Sequence, residues 1–224
     1  MADARMIVAW VLNRLGLRWL SGVLVLASVA CLLGVLLERR AAPGSGPDAA
    51  LLSVTFGLVI PVLAWASAGR IFPEGISEAL IPLTRFGLCR QRALLGSGAT
   101  LGIALGLMGA WLGAMTAAVG NVAGDRFWLD MATCAWIGAL AGAGYSTLQT
   151  LGASWGARGR AAVLLLDWGL GVGSGPLASI WPRSHLRNLL GGTPLLEFAQ
   201  WHSALALVLL LSLCVALLRV RTAP

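Results

Sequence analysis

The stretch WLSGVLVLASVACLLGVLL, residues 19–37, carries no charged side chain. At a rise of about 1.5 Å per residue, a helix of this length spans roughly the 30 Å hydrocarbon core of a bilayer. Five more stretches of similar length and low charge follow it: 49–69, 93–120, 131–157, 161–177 and 198–218. The sequence therefore predicts an all-α polytopic membrane protein with six transmembrane helices.

The composition agrees with this assignment. Hydrophobic residues make up 58% of the chain and charged residues 11%, and the mean hydropathy is +0.84. A soluble domain carries about 25% charged residues. This difference argues against a soluble enzyme and, despite the net charge of +7, against a nucleic-acid partner. Because six spans use about 120 residues, residues 1–224 are predicted to form a single transmembrane domain surrounded by membrane lipids.

Arginine predicts the orientation, since basic residues concentrate in cytoplasmic loops. All 16 basic residues are Arg. With a cytoplasmic N-terminus, 11 of them lie in cytoplasmic segments. Five lie outside: Arg39, Arg40, Arg126, Arg183 and Arg187. Both termini are therefore predicted to be cytoplasmic. The exclusive use of Arg over Lys is typical of a GC-rich bacterial genome, and the predicted location is the inner membrane of a bacterium.

The segment before the first span admits two interpretations. Met6, Ile7, Trp10, Val11 and Leu15 recur at helical spacing among arginines. The pattern suits an amphipathic helix at the cytoplasmic interface, or an extension of the first span as one bent helix.

Glycine is regularly spaced in the third and fourth spans. Such small-xxx-small patterns allow two helix backbones to approach closely in a membrane. The residues predicted to pack in this way are Gly98, Gly102, Gly106, Gly109, Gly113, Gly138 and Gly142. The pattern leaves open whether the contact lies within one chain or between two copies.

Asp167 is the one acid expected deep inside a span. Intramembrane acids face protein or a cavity and find polar partners. The expected partners are Gln149 and Tyr145 on the preceding span, or Arg160. Two interpretations stay open: a contact on the translocation path, and a buried hydrogen-bonded acid.

Enzyme motifs give little support to catalysis by this chain. A phosphate-binding loop requires Lys, and the sequence has none. Gly152–Gly156 matches Gly-x-Ser-x-Gly, which could pair Ser154 with His202 as in rhomboid-like proteases. The predicted topology places these two residues on opposite sides of the bilayer, so this activity is not expected. The four Cys and two His have no metal-ligand spacing, and no metal is predicted.

The most informative loop is RIFPEGISEALIPLTRFGLCRQR, residues 70–92, on the cytoplasmic side. A turn at 72–75 is followed by a short segment at 76–80 that Pro82 is expected to end. Basic residues then lead directly into the third span. This order resembles the permease subunits of type-2 ABC transporters, in which the loop carries a coupling helix that docks onto a separate ATPase. By position, the turn and helix correspond to Glu74, Gly75, Ser77, Glu78 and Pro82, and the basic stretch corresponds to Arg85, Arg90 and Arg92.

The resemblance extends over essentially the whole chain. The linker 176–197 is similar to the short, partly re-entrant outer helices of these permeases. The resemblance implies an exporter subunit with no cofactor of its own: ATP and Mg would bind a partner ATPase, and a second permease copy, identical or not, would complete the pathway. Two alternatives stay open, a non-transporting membrane scaffold or assembly subunit and a secondary transporter.

Overall fold

The computed structural model describes residues 2–41, 51–120 and 126–221, and in these ranges the chain is helical with short connections. The all-α prediction is confirmed over these ranges. Residues 49–50, the predicted start of the second span, lie outside them. The helices are α1 (Ala2–Leu15), α2 (Leu17–Ala41), α3 (a π-helical Leu51–Val59 continued by Ile60–Ile71), α4 (Ile76–Ala79), α5 (Ile81–Arg85), α6 (Arg90–Gly120), α7 (Phe127–Ala153), α8 (Gly156–Leu170), α9 (Pro182–Leu189) and α10 (Gln200–Arg221).

Four of these helices are long and apolar enough to cross a membrane: Leu17–Arg40, Ser53–Ile71, Arg90–Gly120 and Gln200–Arg221. They coincide with the first, second, third and sixth predicted spans and indicate a multi-pass membrane protein. The predicted spans 131–157 and 161–177 are not among them. α8 has 15 residues, about 22 Å of helix, which is shorter than the hydrocarbon core.

α6 and α7 form the antiparallel centre of the bundle. A Cβ at Gly113 would overlap the carbonyl oxygen of Cys134, and a Cβ at Gly98 would lie 3.9 Å from the Cγ2 of Thr150. These two contacts are separated by 15 residues of α6, or about 22 Å of helix. α7 therefore follows α6 through most of the thickness of a bilayer.

α1 is a separate helix that packs on the bundle. Gly16 joins it to α2 with φ +72, a left-handed conformation that favours glycine. Ile7, Val11 and Leu15 are buried, and the side chain of Ile7 lies against Gly96 at the start of α6. One face of α1 is therefore covered by protein.

The linker after α8 is structured. It contains a 3₁₀ turn at Ala178–Ile180 and then α9. The backbone N–H of Arg183, in the first turn of α9, donates to the Oδ1 of Asp167 at 3.3 Å. Two buried contacts fasten α9 to α10: the Nδ2 of Asn188 donates to the Oγ of Ser203 at 2.8 Å, and the Nδ1 of His185 lies 3.3 Å from the same oxygen.

Candidate functional site

The loop between α3 and α6, the turn between α7 and α8, and the last turn of α10 meet at one end of the bundle. We call this end the loop face. The Nη1 of Arg221, on α10, donates to the Oγ of Ser154 at 3.0 Å, and its guanidinium lies 4.4 Å from the ring centre of Trp155. α10 is thereby held against the α7–α8 turn.

The turn that begins the loop is anchored by a close backbone contact. Gly75 has φ +125, and a Cβ there would lie 3.3 Å from the carbonyl oxygen of Ala153 and 3.4 Å from the Cα of Gly156. Any larger residue would be strained by its conformation and would also push the loop away from the α7–α8 turn. Glycine at this position therefore fixes the position of the loop.

A second anchor is Arg160, which is 7% exposed. Its Nη2 donates to the carbonyl oxygen of Pro73 at 3.0 Å. Its other terminal nitrogen, Nη1, lies where a Cβ at Gly69 would be, so glycine leaves space for the guanidinium. Arg160 was one of the partners expected for Asp167, but in the structure it holds the loop instead.

The loop itself folds into two short amphipathic helices, α4 and α5. The buried side chains face the bundle: Ile76, Ala79, Leu80, Leu83 and Leu88. Pro82 lies in the first turn of α5, where the missing N–H of proline has no helical partner to lose. The expected single helix ended by Pro82 is therefore a pair of helices.

The outer side of α4 and α5 is exposed. Glu74, Ser77, Glu78 and Arg85 are all exposed. Phe86 is 75% exposed, an unusual position for an aromatic ring at the end of a polar loop. A hydrogen bond with Glu74 and repulsion from its charge raise the pKa of Glu78. The surface thus combines two adjacent carboxyl groups with an exposed apolar ring.

The predicted basic residues take different positions. The Nη2 of Arg90 donates to the Oγ of Ser77 at 2.7 Å and so braces α4 against the start of α6. Arg92 lies 4.0 Å from Asp3 of α1, an exposed ion pair. Backbone N–H groups of Gln91 and Arg92 lower the pKa of the exposed Cys89 thiol.

The buried acid lies away from the loop face. The hydroxyl of Tyr145 donates to the Oδ2 of Asp167 at 2.9 Å, so these two predicted partners meet. Asp167 is 11 residues from the start of α8, or about 17 Å of helix. Gln149 is fully buried, and neither polar atom of its side chain has a partner in the described residues.

The seven predicted packing glycines divide into two groups. A Cβ at Gly109, Gly113, Gly138 or Gly142 would overlap a backbone carbonyl of the opposite helix, so these four lie in the α6–α7 contact within one chain. Gly98, Gly102 and Gly106 have looser neighbours and line an open apolar groove beside that contact.

The structure does not bring a catalytic pair together from Ser154 and His202. His202 stacks on Trp201 with 3.7 Å between ring centres, near the start of α10. Ser154 contacts Arg221 at the other end of that helix, 19 residues or about 28 Å away. Within the described ranges, no group of three or more His, Cys, Asp or Glu residues could hold a metal ion.

Sequence reasoning missed the contacts that build the loop face. Arg160 was expected only as a topology signal or a partner of Asp167, and Arg221 only as a topology signal, although the first anchors the loop and the second anchors α10. Arg160 carried a usable signal, since it is the last charged residue before the apolar run 161–166 of α8. Comparisons with protein-family models, curated proteins and solved structures find no match to this chain.

Proposed function

We propose that this chain is the membrane-spanning permease subunit of an ATP-driven ABC exporter. The observation that carries the proposal is the paired amphipathic helices α4 and α5, clamped to the bundle by Gly75 and Arg160. Their inner side is buried, whereas their outer side presents Glu74, Glu78 and Phe86. Aromatic residues are enriched in protein–protein interfaces, and the rims of such interfaces are polar.

In this proposal the chain spans a bacterial inner membrane six times, with both termini cytoplasmic. α7 supplies the fourth span, supported by its long antiparallel contact with α6. α8, continued by residues 171–177, supplies the fifth. α9 follows it on the outer side of the membrane and is held to the bundle by its contacts with Asp167 and Ser203.

The ATPase is a separate subunit that docks on the loop face. ATP and Mg bind to that subunit, and two permease copies form the pathway between them. Movement of the docked ATPase pushes α4 and α5. The anchors at Gly75 and Arg160 carry that displacement to α7 and α8, and the chain carries it to α3 and α6.

The test is a mild-detergent pull-down from the native membrane, followed by an assay for ATP hydrolysis in the eluate. We expect an ATPase subunit to accompany the chain. The variants Glu78→Arg and Phe86→Asp should no longer capture the ATPase subunit, because both side chains are exposed and belong to the docking surface. Pro82→Ala should weaken capture by loosening α5.

Glu38→Arg is the matched control, since it makes the same charge change near the far end of α2. If the folded chain captures no nucleotide-binding subunit, or if Glu38→Arg and Glu78→Arg act alike, the proposal is wrong. A scaffold or secondary transporter would then be the better interpretation.

A further inference from the structure

A groove of about 610 Å³ opens on the side of the bundle between α6, α7 and α10. Gly98, Gly102 and Gly106 leave the backbone of α6 as its floor, and Ile103 and Leu107 line it while being 67% and 70% exposed. Its volume falls within the range of small-molecule sites. Since the groove is apolar and open to the side, it faces the acyl chains of the surrounding lipid.

A second, polar pocket of about 290 Å³ lies at the loop face, lined by Ile76, Ser77, Arg90, Ser154 and Arg221. Both arginines are oriented by the serine hydroxyls of this pocket. In the described part of the chain, neither of them lies within salt-bridge distance of a carboxylate. The pocket therefore holds two positive charges with no carboxylate of the described residues at salt-bridge distance.

The groove and the pocket lie on the same three helices, one turn apart. On α6, Leu94 lines the groove and Arg90 lines the pocket. On α7 the corresponding residues are Thr150 and Ser154, and on α10 they are Leu218 and Arg221. Each pair is three or four residues apart, which is one turn of about 5.4 Å. The apolar groove and the basic pocket are thus neighbours along the same side of the bundle.

We propose that groove and pocket together bind an anionic phospholipid, with an acyl chain along the glycine floor and the phosphate between Arg90 and Arg221. Arginine binds phosphate through charge-assisted, often bidentate hydrogen bonds. Basic pockets between membrane helices at one face bind lipid head groups. Trp155, beside Arg221, is an aromatic residue of the kind found at the lipid–water interface.

A phospholipid explains the groove better than a second copy of the chain. A two-fold interface would bring the same surface of both copies together. Arg90 and Arg221 of both copies would then lie at the same end of that interface, at a cost in repulsion. An anionic lipid brings the opposite charge. This proposal does not depend on an ATPase partner.

The test uses the full chain in detergent after removal of native lipid, with lipid binding followed by native mass spectrometry and by the thermal midpoint. We expect phosphatidylglycerol to bind and raise the midpoint more than phosphatidylcholine. Inorganic phosphate at the same concentration should give no shift. If phosphate alone stabilises the protein equally, or if the two lipids act alike, the proposal is overturned.

Variants separate the two halves of the site. Arg221→Gln and Arg90→Gln should each weaken phosphatidylglycerol binding about tenfold through loss of a charged hydrogen bond, whereas Arg85→Gln, also exposed at the loop face, should not. Gly98→Leu should weaken binding of both lipids by filling the groove. Gly144→Leu is its control, because a Cβ at Gly144 meets nothing within 4 Å. Unchanged lipid binding in Arg221→Gln and Gly98→Leu would refute the site. A stable dimer of the wild-type chain that Gly98→Leu dissociates would also refute it, since the groove would then be a dimer interface.

Discussion

The Nη2 of Arg160 donates to the carbonyl oxygen of Pro73 at 3.0 Å, joining two residues 87 positions apart in the sequence. Arg160 is 93% buried by this arrangement, as its exposed fraction is 7%. The bond connects the loop between α3 and α6 to the first turn of α8. Together with the contact of Gly75 against Ala153 and Gly156, it joins that loop to the helices on both sides of the α7–α8 turn.

Arg160→Gln should loosen this connection. A hydrogen bond from a charged donor contributes about 1.5–3 kcal/mol, and 1.4 kcal/mol corresponds to a tenfold change in a local opening equilibrium. We therefore expect backbone amides of residues 76–80 to exchange at least about tenfold faster. Hydrogen–deuterium exchange with mass spectrometry measures this. Arg158→Gln, an exposed neighbour on the same turn, is the control, and equal exchange in both variants would contradict the anchor.

The α6–α7 contact predicts opposite effects for two glycines of the same helix. Gly138→Ala would place a methyl group against the carbonyl of Gly109 and should lower stability by about 1–3 kcal/mol through overpacking. Gly144→Ala meets nothing within 4 Å and should raise stability by up to about 1 kcal/mol through helix propensity. Unfolding of the two purified variants in parallel gives the signs. Equal destabilisation by the two substitutions would show that α6 and α7 are not in close contact at Gly138.

Tyr145 and Asp167 should behave as a coupled pair. Tyr145→Phe removes the donor to the carboxylate, and Asp167→Asn weakens the acceptor for both Tyr145 and the N–H of Arg183. We expect each to destabilise by about 1–3 kcal/mol, with a coupling energy of about 0.5–3 kcal/mol in the double mutant. Thr147→Val is the control, because that hydroxyl bonds only its own helix, at Ala143. If the double mutant loses as much stability as the two single mutants together, the hydrogen bond between Tyr145 and Asp167 does not form.

Hydrophobic periodicity and length are local properties, which is why the sequence alone located α2, α3, α6 and α10. The helix found at the fifth predicted span is shorter than the prediction, and this difference also has a local cause. α8 ends at Leu170 because Gly171, Gly173, Gly175 and Pro176 disfavour a helix. A count of uncharged residues does not detect the end of the helix, because glycine and proline are uncharged too.

The site was less accessible to sequence reasoning because its contacts are between distant residues. Seven glycines shared one spacing, yet four lie in a helix contact and three line a groove. On α6 they lie on the same stripe, and what distinguishes them is how closely α7 approaches at each level of the helix. The anchoring of Pro73 by Arg160 similarly depends on where two turns meet in space, which no spacing in the sequence encodes.

The buried His185 makes stability depend on pH. Its Nε2 lies 2.8 Å from the carbonyl oxygen of Ser179, which can only accept, so Nε2 carries the hydrogen and Nδ1 accepts from Ser203. Burial lowers the pKa of His185, so the folded state favours the neutral ring. An unfolded histidine has a pKa of about 6.5. The contribution to stability is therefore complete above that pH and is lost on acidification, by up to about 1.4 kcal/mol per pH unit until the folded pKa is reached.

Between pH 7.5 and 5.5 we expect the thermal midpoint of the purified wild-type chain to fall relative to that of His185→Gln, which has no ring to protonate. His202→Gln removes the other histidine, which is exposed near the start of α10, and should keep the full pH dependence. Scanning calorimetry or fluorescence at three pH values measures both. If the curves of the wild type and His185→Gln run parallel, the acid sensitivity has another source and the neutral, hydrogen-bonded state of His185 is not what holds α9 to α10.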